Sequence, residues 1–230
     1  MNGPTISERP SSSVEDYLKA IWELGGEGTA STKDVAERLS ISSASVTNMF
    51  VRLRDIGLTE YERYQGASLT DAGRMEALRL LRRHRLIEAF LLEHLGYAWD
   101  EVHEEAESLE HAVSDEFTER LAEFLGYPEH DPHGDPIPAV DGSLELDDSF
   151  PLSKATTGQR VRIYRVGDEE AEKLAYLEEH GLMPGRLFEV KEVRALDEVV
   201  TVEDEDCKAH SIGGPLASSV FVQSISEGDG

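Results

Sequence analysis

Apolar residues recur at helical spacing through the first part of the chain. Between Val14 and Leu24 they fall at Tyr17, Leu18, Ile21 and Trp22, one face of a helix that Gly25 and Gly26 end. STKDVAERLSI follows, with Ser31 and Asp34 spaced as a capping box and Val35, Ala36 and Leu39 forming the apolar side. A turn through Ile41 and Ser42 leads into SASVTNMFVRLRDIGL, a helix with Val46, Met49, Phe50 and Leu53 inward and Gly57 as its stop. In TEYERYQGASLT, Gly66 separates two strand-like pieces, which predicts a hairpin. Two short helices, a tight turn and a hairpin compose a winged helix-turn-helix.

The period stays helical beyond it. Thr70 caps a long stretch expected to run to Leu95, and a second helix is expected from His103 to Leu125. Leu-Gly-Tyr at 95–97 and again at 125–127 marks two glycine-terminated ends. DPHGDPIPAVDG (131–142) then breaks the pattern with three prolines and two glycines, the signature of a domain edge. After it the period shortens: GQRVRIYRV, GRLFEVKEV, EVVTVED and SSVFVQSI are β-type runs, interrupted by a helix at Glu169–His180, a pattern that suits a small barrel. The expected fold is mainly α with a small β domain. Its parts are a winged helix-turn-helix over 1–72, a helical domain over 73–140, a linker at 141–150 and a β domain over 151–226.

Composition narrows this picture. A chain of 230 residues with 39% hydrophobic residues can build a globular core. No apolar run is long enough to span a bilayer, and the start MNGPTISERPSSS is polar, so a cytoplasmic protein is expected. The one cysteine, Cys207, has no internal partner for a disulfide and fits a reducing compartment. The net charge of −25 argues at first against nucleic acid. Its distribution reverses that reading: residues 1–90 hold 12 basic and 13 acidic side chains, whereas residues 91–230 hold 10 and 34. The near-neutral segment is the one with the winged-helix pattern. The pervasive acidity is what a halophilic proteome shows, where carboxylates keep surfaces hydrated; a solvated acidic tail is the rival explanation.

Near-neutrality suits a DNA face on the third helix. Ser43, Ser45, Thr47, Asn48 and Arg52 are small and polar enough to enter a major groove, with Asn48 able to read adenine. Thr32 on the preceding helix and Arg63 in the wing join this face, Arg63 in reach of phosphate. Ser42 or Ser43 serves equally well as the helix cap. Winged helices also act as protein–protein modules, which would more often expose apolar residues on that helix.

Candidate metal chemistry lies further on. HEEAESLEHAVSDEF (103–117) packs two histidines and six acids into one run. At 100° per residue His103, Glu107, Glu110 and His111 share one helical side, and His84 with Glu88 makes a second i, i+4 pair. Imidazoles beside carboxylates suit a first-row divalent ion, with oxygen-rich ligation leaning toward Mn or Fe. Asp16 offers a further oxygen, or else interacts with the positive end of its own helix. In so acidic a chain each pair has a bland reading too, as a solvated face. His130, His133, His180 and His210 lie in loop-like or isolated contexts and read as structural or exposed. An enzyme is not expected. HEEAE begins like a zinc-protease HExxH but ends in Glu107; no histidine follows a glutamate by three; and there is no glycine-rich phosphate loop or G-x-S-x-G elbow.

The order of these parts resembles the diphtheria toxin repressor family of metal-dependent transcription regulators, which has iron- and manganese-responsive members. VEDYLKAIWEL, SISSASVTNMFVRLRDIGL, RRHRLIEAFLLEHLGYAWDEVHEEAESLEHAVSDEFTERL and GDPIP carry the resemblance over residues 14–138. GLMPG (181–185) extends it less specifically into the β region, which looks like the family's SH3-like, FeoA-like domain. The resemblance implies one metal site at His84, Glu88 and His103, with Glu170 added from the β domain; Lys173 stands where a glutamine ligand is expected. It implies a second, activating site at Asp16, Glu107, Glu110 and His111. Asp16 and Glu107 replace the methionine and cysteine of iron-type members and match manganese-type ones, although Lys19 stands where those usually carry another carboxylate. By this resemblance the chain is a repressor with Mn(II) or Fe(II) as cofactor. It would bind double-stranded operator DNA as a homodimer, without a membrane, and control metal-uptake genes. The competing readings are a protein–protein module and a metal-independent DNA-binding protein whose acidic face binds salt cations.

Overall fold

The computed structural model describes residues 9–145, 148–167 and 170–225. The chain divides into two units, Met1–Arg83 with Pro138–Ser143, and His84–Ile137 with Leu144–Gly230.

In the first unit, α1 (Ser12–Gly25), α2 (Thr32–Arg38) and α3 (Ser43–Asp55) precede the hairpin β1 (Thr59–Glu62) and β2 (Gly66–Leu69). Two serines set the helix starts. Ser31 Oγ accepts from Asp34 N at 3.1 Å and Ser42 Oγ from Ser45 N at 3.1 Å, each satisfying an amide that the first helical turn leaves unpaired. Leu18, Ile21, Val35, Val46, Phe50 and Leu53, from the faces that the helical spacing marks as inward, are buried in one apolar cluster together with Leu58. The hairpin is antiparallel from Thr59↔Leu69 to Glu62↔Gly66. Ala30 adds a bridge to Ala67, with N–H···O bonds of 2.9 and 3.0 Å in the two directions. Gly66 is required there: its φ is +93°, and a Cβ would run into the Ala30 carbonyl. Glu15, buried in α1, is held by Arg9 at 2.8 Å and Arg83 at 3.3 Å.

The helix α4 (Asp71–Phe90) continues into a π-helical turn, Leu91–Leu95, so the long helix ends at Leu95 as expected but with its last turn widened. The expected helix from His103 to Leu125 is two helices, α5 (Val102–Leu109) and α6 (Asp115–Phe124). Ser114 explains the restart: its Oγ accepts from Phe117 N at 3.2 Å, and Asp115 and Glu116 place acids in the new first turn. Leu86, Leu91, Val102, Ala106, Leu121 and Ala122 are buried together among these helices.

The β region holds more elements than the four runs and one helix that its hydropathy suggests. A six-stranded antiparallel sheet has the order β3-β8-β4-β5-β6-β7. Its strands are β3 (Phe150–Pro151), β4 (Arg160–Val166), β5 (Leu187–Arg194), β6 (Val199–Glu203), β7 (Ala209–Ile212) and β8 (Val220–Ser224). The inserted helix α7 spans Ala171–Glu179, while Glu169, its expected start, lies outside the described residues; α8 (Gly214–Ser219) precedes β8. Two-residue alternation explains the core, since Val161, Ile163, Val190, Val200, Val202, Val220 and Val222 all turn inward. Trp99, from the segment before α5, is buried in that same core and donates from Nε1 to the Pro132 carbonyl at 2.8 Å. Val166 N–H donates to the His133 carbonyl at 2.8 Å, and Gly134 (φ +90°) leaves no room for a Cβ beside the Tyr164 carbonyl. The DPHG loop is therefore fastened to β4, which fixes the position of His133.

Candidate metal centre and nucleic-acid interface

The last turns of α4 present His84 and Glu88 one turn apart, and α5 presents His103 opposite them. His84 Nε2 lies 2.9 Å from Glu88 Oε1 and 3.1 Å from His103 Nδ1, and His103 Nδ1 lies 3.3 Å from the same Glu88 oxygen. Three donor atoms thus form a triangle of nearly equal edges. Ligands about 2.1 Å from one ion and at right angles to each other are separated by about 3.0 Å. The triangle has the dimensions of a coordination face, and its imidazole and carboxylate donors suit a divalent first-row metal. His84 and Glu88 are buried, so the centre is shielded from bulk water.

His84 faces carboxylates from both sides. Its Nδ1 lies 2.7 Å from Glu110 Oε2, and Glu110 Oε1 lies 3.5 Å from His111 Nε2. Glu110 is fully buried at 0% exposure, at the point where α5 ends. His84, Glu107 and Glu110 also each bring one donor atom within 4.8 Å of the others. His103 Nε2 is 3.8 Å from Glu107 Oε1. Five of the expected ligands, His84, Glu88, His103, Glu107 and Glu110, are therefore joined through one continuous set of contacts, with His111 at its edge. Asp16 is half-buried on α1, in the other unit. Glu170 is exposed at the start of α7, where it pairs with Lys173 at 2.9 Å, and it is in none of the ligand groupings among the described residues.

Asp131 and His133, from the irregular DPHG loop, also belong to this region. Glu88, Asp131 and His133, all buried, bring donor atoms within 4.8 Å of one another. His133 Nε2 lies 3.1 Å from the Trp99 carbonyl, an acceptor only, so this nitrogen carries the proton. Its Nδ1 faces Glu88 Oε1 at 4.0 Å, the orientation that a metal-ligating histidine takes when a backbone carbonyl holds its other nitrogen. Burial raises the Glu88 pKa, but the positive charge of His84, hydrogen bonds from His103 and His84 and the charge of His133 outweigh it, holding Glu88 well below the usual carboxylate range. Asp131 goes the other way. Burial, then the charges of Glu88 and Asp135, push it well above the ordinary value against the lowering effect of Arg85. The only sequence signal for this cluster is the Asp-x-His spacing inside a loop dominated by proline and glycine.

The raised Asp131 pKa has a consequence for the metal-free protein. Between the ordinary carboxylate value of about 3.9 and its folded value, the unfolded chain has released a proton that the native state keeps, so stability falls as pH rises through that window. Asp131→Asn removes the effect. Its metal-free melting temperature at neutral pH should exceed the wild type's, while the stabilisation by added Mn(II) should shrink. Thermal melts with and without metal check both signs; a metal-free variant less stable than wild type contradicts the assignment.

On α3 the residues exposed between Ser43 and Arg52 are Ser43, Ala44, Ser45, Asn48 and Arg52, a mostly polar stripe opposite buried Val46, Phe50 and Leu53. Ser42 is the cap. Ser45 Oγ meets Ser42 Oγ at 2.9 Å and Thr47 Oγ1 donates to the Ser43 carbonyl at 2.9 Å, so these hydroxyls also serve the helix itself. Thr32 begins α2 and is half-buried, and Arg63 is exposed in the turn of the hairpin.

Residues 11–67 match the model described as iron dependent repressor, N-terminal DNA binding domain, and residues 70–139 the one described as iron dependent repressor, metal binding and dimerisation domain. Residues 150–224 match the FeoA domain. The chain is 34% identical over 170 residues to the iron-dependent repressor of Mycobacterium leprae (strain TN), covering 73% of this chain and 72% of that one. It is 30% identical over 217 residues to the diphtheria toxin repressor of Corynebacterium jeikeium (strain K411), covering 94% and 86%. Among solved structures, a manganese-dependent transcriptional repressor in complex with manganese superposes with a TM-score of 0.86 at 36% identity, over 92% of this chain and all (100%) of that one.

Proposed function

Because this chain belongs to the diphtheria toxin repressor family of iron- and manganese-dependent regulators, we propose that it is a dimeric repressor that binds operator DNA when Mn(II) or Fe(II) is bound. It is not an enzyme. The observation that carries the reading is the buried triangle of His84 Nε2, Glu88 Oε1 and His103 Nδ1, with edges of 2.9, 3.1 and 3.3 Å. The polar exposed stripe of α3 supports DNA rather than protein as the partner of the winged helix. Ser43, Ser45, Thr47, Asn48, Arg52 and Thr32 are assigned to that face, with Arg63 on phosphate.

Metal is assigned to two places. One is His84, Glu88 and His103, with Asp131 and His133 sharing Glu88; the exposure of Glu170 speaks against its adding a ligand there. The other is Glu107, Glu110 and His111, completed by Asp16 of the first unit, a ligand expected from the family resemblance. A bound ion supplies positive charge that these carboxylates otherwise lack, and ligands drawn from both units restrict the freedom of the winged helix. Two recognition helices in a dimer can then meet half-sites about one helical turn apart without paying that ordering cost on DNA. The domain boundaries are taken as 1–72, 73–140 and 151–226. No helix among the described residues is long and apolar enough to cross a membrane, and a DNA-binding regulator works in the cytoplasm. Metal-uptake genes are the fitting targets.

Oxygen donors at Asp16 and Glu107 favour Mn(II) over softer ions. Operator binding should rank Mn(II) at least equal to Fe(II), and Asp16→Met combined with Glu107→Cys should move the ranking toward Fe(II). A double variant that keeps the wild-type ranking would place selectivity elsewhere, with Lys19 the next position to change.

The dimer face is assigned to the helical domain. Leu95, Phe117, Phe124 and Tyr127 are 46–63% exposed, and the Phe124 ring meets Phe90 at 6.1 Å and His94 at 4.8 Å between centroids. Large exposed apolar side chains on this domain are what a second copy would cover. Phe124→Asp should shift the protein to monomer in sedimentation experiments and weaken operator binding by at least about tenfold. A variant that stays dimeric would move the interface off this face.

A further inference from the structure

Inward-facing residues alternate along β4 as far as Ile163, but the next one buried is Val166. Unbroken alternation would bury position 165 instead. The pairing with β8 shifts register between Ile163 and Arg165, so Tyr164 and Arg165 both leave the core, the re-aiming that a bulge produces. Both turn to the segment 130–135. The Tyr164 hydroxyl lies 2.8 Å from His130 Nε2, Arg165 Nη1 donates to Asp135 Oδ1 at 3.4 Å, and Val166 N–H donates to the His133 carbonyl at 2.8 Å. Three consecutive residues of β4 thus each hold one residue of that segment. The Arg165 guanidinium is itself seated on Phe221 of β8, 3.6 Å from the ring centroid.

Bonds inside the loop carry this anchorage to the metal centre. Asp131 Oδ1 accepts from the amides of His133 at 2.8 Å and Asp135 at 3.0 Å, and the Asp131 amide donates to the Asp135 carbonyl at 2.9 Å. From α4, the helix that bears His84 and Glu88, Arg85 Nη2 reaches Asp135 Oδ1 at 3.6 Å. Asp135 is clamped between that helix and β4. The tolerance is small. Two ligands about 2.1 Å from one ion are at most about 4.2 Å apart, and His133 Nδ1 already lies 4.0 Å from Glu88 Oε1. A slight outward drift of the loop takes His133 out of reach of an ion on Glu88.

We propose that Arg165 is a positioning residue of the metal centre: by holding Asp135 on β4 it keeps His133 within reach of an ion bound at Glu88. This rests on the metal-dependent reading above. It gives the β domain a part in metal binding that requires no ligand from it, and it accounts for the bulge that turns Arg165 out of the core.

The test uses the full chain, freed of metal and without DNA, and follows unbound Mn(II) by electron paramagnetic resonance during a titration. The Glu88 event is the one that Glu88→Gln removes. Arg165→Met keeps a stem over Phe221 but loses the charge. It should weaken the Glu88 event about tenfold, the range seen when a ligand's support is lost, and leave the other event unchanged. Arg165→Lys keeps the charge and should stay within about threefold of the wild type. Asp135→Asn breaks the same contact from the loop side and should repeat the loss. Combined with Arg165→Met it should add less than about twofold, because both changes remove one interaction. A role in packing alone would move the methionine and lysine variants together. A Glu88 event within about twofold of wild type in Arg165→Met, equal losses in the two Arg165 variants, or fully additive losses with Asp135→Asn overturns the proposal while leaving the metal reading intact. A wild-type chain that binds no Mn(II) overturns both.

Discussion

Glu110→Gln is expected to abolish metal-dependent operator binding, bringing affinity down to the non-specific level, about 10³-fold or more below the wild type. Glu110 is fully buried, one oxygen 2.7 Å from His84 Nδ1 and the other 3.5 Å from His111 Nε2. It touches His84 of one proposed ligand set and His111 of the other. Glutamine keeps its shape, and the amide oxygen still accepts from the imidazole, so the fold should survive. What is lost is the negative charge that draws a cation into a buried place. Circular dichroism and sedimentation should match the wild type while metal-stimulated DNA binding disappears. An unchanged metal response would remove Glu110, and with it the activating set, from the account.

His84 and His103 should differ, although each offers one nitrogen to the same Glu88 oxygen. His84 also contacts Glu110 through its second nitrogen at 2.7 Å, whereas His103 Nε2 lies 3.8 Å from Glu107 Oε1. A ring flanked by two carboxylates donates to both when doubly protonated; an ion on Nε2 leaves Nδ1–H to orient Glu110. His84→Gln should therefore weaken both sets, with operator binding reduced by about 100-fold. His103→Gln should lower it by about tenfold, the range seen when one metal ligand's support is lost. Mn(II) titration of each variant checks the order: two wild-type binding events should become one weak event in His84→Gln and keep one near-normal event in His103→Gln. Equal losses in the two variants would indicate one inseparable centre.

Much of this was legible in the pattern of residues, for identifiable physical reasons. The winged helix reads clearly because each of its elements is short, amphipathic and punctuated. Ser31 and Ser42 cap, Gly57 stops, and Gly66 turns the chain where no Cβ fits. His84 with Glu88, and His103 with Glu107, stand out as candidate ligands because helical spacing puts each pair on one side, while the proposed grouping with Asp16 comes from the family resemblance. The break between α5 and α6 was readable in principle from Ser114, Asp115 and Glu116, but the unbroken apolar period across it masks the signal. His133 and Asp131 were not readable. They sit in an irregular loop whose position depends on long-range contacts with β4 and Trp99, and periodicity says nothing about such contacts. The same holds for β3 and β7, too short for alternation to stand out.

The central claim is that metal occupancy controls DNA binding, and fluorescence anisotropy of a duplex that the Mn(II)-loaded chain enriches from a random-sequence pool tests it most directly. The metal-free protein is titrated first, then Mn(II) is added, then a chelator. Binding should be weak and sequence-indifferent without metal, gain at least about 10²-fold with Mn(II), and reverse fully with the chelator. Equally tight, sequence-specific binding by the metal-free chain would contradict it.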